Sequence, residues 1–252
     1  MKRIELQLEK NKKAYFAGDF HLGKPDKKSS IEREKKIIKW LEIIKVDAQE
    51  LFLMGDVFDF WFEYKHVVPK DFFKFLSKIS ELIDSGINVH YFKGNHDLWT
   101  LDYFEKLGIK LYDQPQSIKL DNKKILVGHG DGLGSGDFGY KILKKIFSNS
   151  ICQNLFRLIH PDIGIRLGNF FSRSHKKYNT SNAKKNNDRI INYCKNYEKD
   201  NHIDAYIFGH SHYISKETIS NNSRYYNSGD WMNNSSYLEF YSNKFEIKKF
   251  NL

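Results

Sequence analysis

The chain has 252 residues, 41 Lys and Arg against 31 Asp and Glu, a formal net charge of +10, and 40% hydrophobic and 15% aromatic residues. This suits one large domain, or a domain with an insertion, around a real core, and is far too aromatic for a disordered chain. No apolar run approaches the ~18 residues of a membrane span, and no signal-length apolar stretch follows Met1. Cys152 and Cys194, with no CxxC neighbour, read as packed, reduced thiols of a cytoplasmic protein rather than a disulfide framework. The basic excess asks for an anionic partner: nucleic acid, lipid headgroup or phosphorylated substrate. It is carried mostly by Lys, which argues against a nucleic-acid reader built on Arg forks.

In chain order, residues 14–18 predict a strand ending at Asp19. Ile31, Ile37, Ile38, Leu41 and Ile44 recur at helical spacing over 31–45, and 51–54 is a buried strand. Residues 69–85 predict a helix opened by Pro69 and ended near Gly86, followed by a strand at 87–92 and a short helix at 98–107. Strands follow at 109–112, 116–120 and 124–128. From 137 to 199 the pattern is helical, and strands resume at 204–208, 213–219, 223–228, 236–241 and 244–249. Strands alternating with helices predict an α/β layered fold. We therefore expect a core of residues 1–136 and 200–252, with 137–199 inserted as a helical cap.

Five short segments carry the chemistry: Asp19-Phe-His21, Gly55-Asp56-Val-Phe-Asp59, Gly94-Asn95-His96-Asp97, Gly128-His129-Gly-Asp131 and Gly209-His210-Ser-His212. Each follows a predicted strand, and strand ends in an open α/β sheet face one crevice. A lone Gly-Asp or Gly-His in that position is usually a turn, but half of the chain's histidines fall inside these segments. Asp, Asn and His without Cys form a donor set for Mn²⁺, Fe²⁺ or Zn²⁺. Seven such donors are too many for one ion with open positions and suit two ions sharing a carboxylate. One would take Asp19, His21, Asp56 and His212, and the other Asp56, Asn95, His129 and His210. Such a pair can activate a water and clamp two phosphoryl oxygens. His96 is expected as a general acid or hydrogen-bond donor, held in one tautomer beside Asp97. Asp59 and Asp131 are expected to orient ligand histidines.

In this order D-x-H, GD-x-x-D, GNHD, GH and GHxH resemble the calcineurin-like metallophosphoesterase superfamily over residues 19–212. The resemblance implies a four-layer α/β/β/α sandwich with an inserted helical cap, and the metal roles just given. Protein Ser/Thr phosphatases of the superfamily carry Arg-Gly after the second motif, where this chain has Phe60-Trp-Phe62. That aromatic run, Asp137-x-x-Tyr140, the helical insertion and Asn227-Ser-Gly-Asp-Trp231 are similar to the UDP-2,3-diacylglucosamine pyrophosphohydrolases of lipid A synthesis. This similarity implies a hydrolase with two divalent ions, Mn²⁺ first, that releases UMP and 2,3-diacylglucosamine 1-phosphate. It implies a lipid-linked nucleotide sugar as substrate and a cap that holds acyl chains. Asn95, His96, Asp137, Ser174 and Lys177 are the candidate substrate contacts. Members of that group carry Arg where this chain has His96. A soluble phosphodiesterase or nucleotide pyrophosphatase is therefore the alternative, and a scaffold that has lost its chemistry a third reading.

Read independently, the stretch from Phe138 to Ile159 alternates apolar faces with Lys141, Lys144, Lys145 and Arg157. That mixture suits ordinary helix packing, or an acyl groove flanked by cations at a membrane surface. The expectation is a peripheral enzyme on the cytoplasmic face of the inner membrane, without nucleic acid as a partner.

Overall fold

A computed structural model describes residues 4–135, 138–173 and 180–251. The strands are β1 (Ile4–Leu6), β2 (Lys13–Ala17), β3 (Ala48–Leu53), β4 (Asn88–Phe92), β5 (Lys110–Tyr112), β6 (Gln116–Leu120), β7 (Lys123–Gly128), β8 (Ala205–Phe208), β9 (Ser215–Ser220), β10 (Ser223–Asn227), β11 (Ser236–Tyr241) and β12 (Lys244–Lys249). The helices are α1 (Lys27–Ile44), α2 (Phe73–Asp84), α3 (Tyr103–Lys106), α4 (Phe138–Phe147), α5 (Ser150–Arg157), α6 (Pro161–Arg173) and α7 (Thr180–Glu198). Two six-stranded sheets form, ordered β12-β11-β2-β3-β4-β5 and β1-β6-β7-β8-β10-β9.

Side-chain alternation turns these elements into layers. On β2 and β3, Tyr15, Ala17, Leu51 and Leu53 face α1 and α2, while Ala14, Phe16, Phe52 and Met54 face the other sheet. The second sheet answers with Ile118, Ile125, Val127 and Ile207 on the inner side. Its outer side sends Leu126, Tyr206, Phe208 and Tyr225 against Ile190, Ile191 and Cys194 of α7. The order is therefore helix, sheet, sheet, helix, the four-layer α/β/β/α sandwich expected. Among the described residues, helices α4, α5 and α6 give none to any of these three cores.

Two local readings change. The buried face of α1 is Ile37, Trp40, Leu41 and Ile44, but it also takes Arg33 and Glu34, whereas Ile31 is 39% exposed. Arg33 Nη2 donates to the His21 carbonyl, and Glu34 accepts from the Phe75 amide, while Arg33 Nε is buried without a hydrogen-bond partner. Strand β1 was not predicted at all. It is a three-residue edge strand, parallel to β6.

Phe52 of β3 lies on the inner face of the first sheet, between its ladder neighbours Phe16 and His90. It is fully buried and stacks on Phe16 at 4.4 Å and on His90 at 4.5 Å between ring centroids. Phe52→Ala is expected to cost about 3–5 kcal/mol, read as a lowered urea midpoint with an unchanged slope. A loss below about 1 kcal/mol would mean that the core does not rely on this ring stack.

Candidate metal centre

The parallel strands β2, β3 and β4 in one sheet, and β7, β8 and β10 in the other, all end on the same side of the sandwich. Their ladders continue as loop hydrogen bonds: Asp19 N–H to the Gly55 carbonyl (2.9 Å), His21 N–H to the Asp56 carbonyl (2.9 Å) and Gly209 N–H to the His129 carbonyl (2.8 Å). These bonds hold the loops in register, so residues far apart in sequence meet at one edge. Asp19 (φ 51°), His21 (44°), Asp56 (49°), His210 (65°) and His212 (57°) all adopt left-handed backbone, which non-glycine residues rarely take outside functional sites.

Asp19, His21, Asp56 and His212 form one cluster in which a ligand atom from each lies within 4.8 Å of the others. Asp56, His129 and His210 form another, so Asp56 belongs to both. Asn95 joins this second group, with its Oδ1 3.3 Å from His129 Nε2. One oxygen of Asp56 accepts from the His96 amide at 2.9 Å. The other lies 3.6 Å from His21 Nε2 and 3.4 Å from His129 Nε2.

The histidines are oriented as metal ligands are, with one ring nitrogen turned outward to an acceptor and the other inward. His129 Nδ1 lies 2.8 Å from the Met54 carbonyl and thus carries a proton. His212 Nδ1 faces Asp230 at 3.3 Å, and His21 Nδ1 faces Asp59 at 3.4 Å. Nε2 of His21 and Nε2 of His212 then meet at 3.0 Å, and the latter is 3.2 Å from Asp19. Asp19 Oδ1 is buried with no hydrogen-bond partner. Inward lone pairs, an orphaned carboxylate oxygen and an oxygen-nitrogen donor set without thiolate fit divalent cations.

The electrostatics agree. Burial opposes charge on Asp56, yet His129, His96 and His21 hold its carboxyl well below the usual range. Burial also opposes a charged His129, but Asp56, Asp19 and Asp131 push it up to about 10. Asp19 and Asp230 do the same for His212, again to about 10 against burial. Burial dominates at His21 and His210 and takes both down to about 4. A buried carboxylate group thus demands positive charge, and in the free cluster protons on His129 and His212 supply it. As ligands both would be neutral, and a bound cation would supply the positive charge in place of those protons.

Two expected partnerships differ. Asp97 does not hold the His96 ring. It is fully buried and accepts from the amides of Gly94 (2.7 Å) and Val57 (2.8 Å) and from the Tyr91 hydroxyl. Its carboxylate braces the loops that carry Asn95 and Asp56, and burial together with the Asp56 charge raises it to about 6. Asp131 does not hydrogen-bond a ligand histidine either. It accepts from Lys144 Nζ at 2.6 Å and from the Tyr140 hydroxyl, because α4 brings both over it. It reaches His129 and His210 through charge alone. Asp59 does sit beside His21, and Nδ1 of His96 rests against the Asp59 carbonyl at 2.9 Å. Asp137, Ser174 and Lys177 lie outside the described residues.

Two contributors were missed. Asp230 is fully buried against His212, and Ser172 on α6 places its hydroxyl 2.9 Å from His96 Nδ1. Asp230 had a signal, since it lies in the Asn227-Ser-Gly-Asp-Trp231 run; Ser172 had none. Lys141, Lys144 and Arg157, read as flanking cations, donate to the Gly134 carbonyl, Asp131 and the Glu63 carbonyl and so tie the helices to the core.

A family model described as calcineurin-like phosphoesterase matches residues 12–213. A UDP-2,3-diacylglucosamine hydrolase of Porphyromonas gingivalis is 34% identical over 242 residues, covering 89% of this chain and 92% of that protein. Proteins of the same name from Histophilus somni and Proteus mirabilis are 24% and 26% identical, covering 94% and 93% of this chain and 99% and 98% of their own lengths.

Gly94 marks how little room the centre leaves. A Cβ there would overlap Asp56 Oδ1 and the Asp56 amide nitrogen. Gly94→Ala is expected to weaken divalent-ion affinity by about 10–100-fold, as changes beside a metal centre do. The check is metal content after dialysis by emission spectroscopy, with far-UV circular dichroism unchanged. Full metal retention would show that Asp56 does not hold the ions.

Proposed function

The chain belongs to the calcineurin-like phosphoesterase family, and from that premise we propose that it hydrolyses the pyrophosphate of UDP-2,3-diacylglucosamine, giving UMP and 2,3-diacylglucosamine 1-phosphate. The observation that carries the lipid-bearing substrate is the apolar ground beside the centre. A cavity of about 440 Å³ opens between α1, the 69–74 segment and α6. Leu22, Ile31, Ile38, Phe60, Phe72 and Ile165 line it, and Lys27, Lys35, Lys70 and Lys74 also border it. Two of its lining residues, Leu22 and Gly23, directly follow His21 in the chain. On α4–α6 Phe138, Ile142, Ile151, Leu155, Leu158, Ile163, Phe170 and Phe171 are exposed. So much exposed apolar surface is uncommon unless it meets lipid or a partner.

In this reading Asp19, His21, Asp56 and His212 hold one ion, and Asp56, Asn95, His129 and His210 the other, with Mn²⁺ as the first candidate and Fe²⁺ or Zn²⁺ also suited. When bound, the pair supplies an activated water and a positive clamp on the phosphoryl oxygens. The protein's own groups do the rest. Asp59, Asp230 and the Met54 carbonyl fix the inward lone pairs of His21, His212 and His129. Nδ1 of His96 is held by the Asp59 carbonyl and Ser172, and we propose that the ring passes a proton toward a phosphoryl oxygen through Nε2. Asp137, Ser174 and Lys177 are proposed to contact the nucleotide sugar. The cap proposed over 137–199 divides by role: α4–α6 meet the acyl chains, and α7 serves the core.

No described helix is long and apolar enough to cross a membrane. We assign the enzyme to the cytoplasmic face of the inner membrane, docked through α4–α6. Phe138→Glu with Leu158→Glu is expected to halve sedimentation with phosphatidylglycerol vesicles at least, and unchanged sedimentation would remove that surface from the proposal. His96 in place of Arg favours a second reading, a phosphodiesterase or nucleotide pyrophosphatase of another substrate.

Purified protein with Mn²⁺ should release UMP from UDP-2,3-diacylglucosamine, followed by mass spectrometry, and the product bearing ¹⁸O from labelled water identifies the attacked phosphorus. Asp56→Ala or His129→Ala should lower turnover by ~10³-fold or more, the scale of a metal centre's charge stabilisation. Metal-loaded protein that ignores this substrate while cleaving simple phosphodiesters would establish the second reading instead.

A further inference from the structure

Among the described residues, helix α6 reaches the centre through Ser172. Its hydroxyl donates to the Asp59 carbonyl at 2.6 Å and lies 2.9 Å from His96 Nδ1. The same Nδ1 is 2.9 Å from the Asp59 carbonyl. A carbonyl only accepts, so Nδ1 must carry a proton there. The single hydroxyl proton of Ser172 is already directed at that carbonyl, so its oxygen is an acceptor for Nδ1–H. Three groups thus close a ring of hydrogen bonds that admits one orientation of the imidazole.

The depth of Ser172 is set by the helix that bears it. Gly164, Gly168 and Ser172 recur every four residues and share one face of α6. A Cβ on Gly164 would overlap the Tyr64 hydroxyl, and one on Gly168 would overlap the Phe60 ring. Those aromatics belong to the segment that directly follows Asp59. The helix therefore lies against the strip of chain carrying the Asp59 carbonyl, at a distance only glycines permit. The backbone of His96 is fixed to the same strip, its amide on Asp56 Oδ1 and its carbonyl receiving the Trp61 amide.

We propose that Ser172 is a positioning residue for His96, and that α6 is the strut by which the helical cap sets the orientation of the candidate proton donor. The catalytic consequence rests on the role given to His96 above; the orientation of the ring does not. The test uses full-length protein loaded with Zn²⁺ and labelled with ¹⁵N-histidine. In the parent protein the Nδ1–H of His96, sheltered by two oxygens, should give a resolved imidazole N–H signal that exchanges slowly with water. Ser172→Ala should speed that exchange about tenfold and lower kcat about tenfold, the order that one lost hydrogen bond gives, with KM within twofold and metal content unchanged. Ser172→Thr, which keeps the hydroxyl, should restore both. Unchanged exchange in Ser172→Ala would overturn the proposal, as would a Thr variant as impaired as Ala, which would assign the effect to packing. Slow exchange that responds to Ser172 in a protein inert toward UDP-2,3-diacylglucosamine would keep the positioning role and remove only the substrate.

Discussion

The structure depends on one buried carboxylate that must stay charged. Asp56 is 2% exposed, and an isolated carboxylate there would take up a proton rather than remain ionised. It stays charged chiefly because His129, itself pushed up to about 10, faces it, with His96 and His21 converging from two other strand ends. Those histidines need an equally rigid frame, since a charge interaction inside a protein weakens quickly with separation and with water access. The frame is the set of parallel ladders that run past the strand ends into the loops. The left-handed backbone at Asp19, His21, Asp56, His210 and His212 is tolerated because each loop is held by hydrogen bonds to the next.

This explains why so much of the site is legible in the sequence. A ligand at the end of a strand is a local event: an apolar run, a glycine that allows a tight turn, then Asp, Asn or His. Gly55 illustrates it, with φ at +88° and no room for a Cβ, which would lie 2.6 Å from His129 Nδ1. What was not legible is which acceptor each ligand's outer face would find. Asp97 follows His96 in sequence, but the turn points its carboxylate into the core, where the amides of Gly94 and Val57 would otherwise go unsatisfied. Asp131 follows His129 by two residues and is taken by Lys144 and Tyr140 from α4. Ser172 arrives from far along the chain, and local patterning carries no information about such a meeting, whereas Asp230 is marked by the run Asn227-Ser-Gly-Asp-Trp231 but not by its partner.

The layers show the same division. Strands and helices of the sandwich follow from alternation and helical spacing because each buries one face. The helices after Gly136 are equally periodic, but periodicity does not say what the apolar face meets. For α7 it meets the second sheet, through Ile190, Ile191 and Cys194. For α4–α6 much of it faces outward. Folding a soluble core therefore does not account for the apolar residues of α4–α6, and a lipid-bearing substrate does.

The charge balance can now be placed. Asp19 and Asp56 are counted as negative in the net +10, yet divalent ions held there would neutralise them where a substrate would meet them. The field that an anionic substrate approaches is then more positive than the count suggests. Not every lysine adds to it, since Lys144 is spent on Asp131 and Lys141 on a carbonyl. Lys27, Lys35, Lys70 and Lys74 instead border an apolar cavity. Positive charge beside apolar lining is poor ground for nucleic-acid bases, which call for aromatic stacking platforms and base-edge contacts. It suits a molecule that is anionic at one end and hydrocarbon at the other. The basic excess, the exposed apolar residues of α4–α6 and the buried carboxylate all suit the substrate proposed, which is anionic at one end and hydrocarbon at the other.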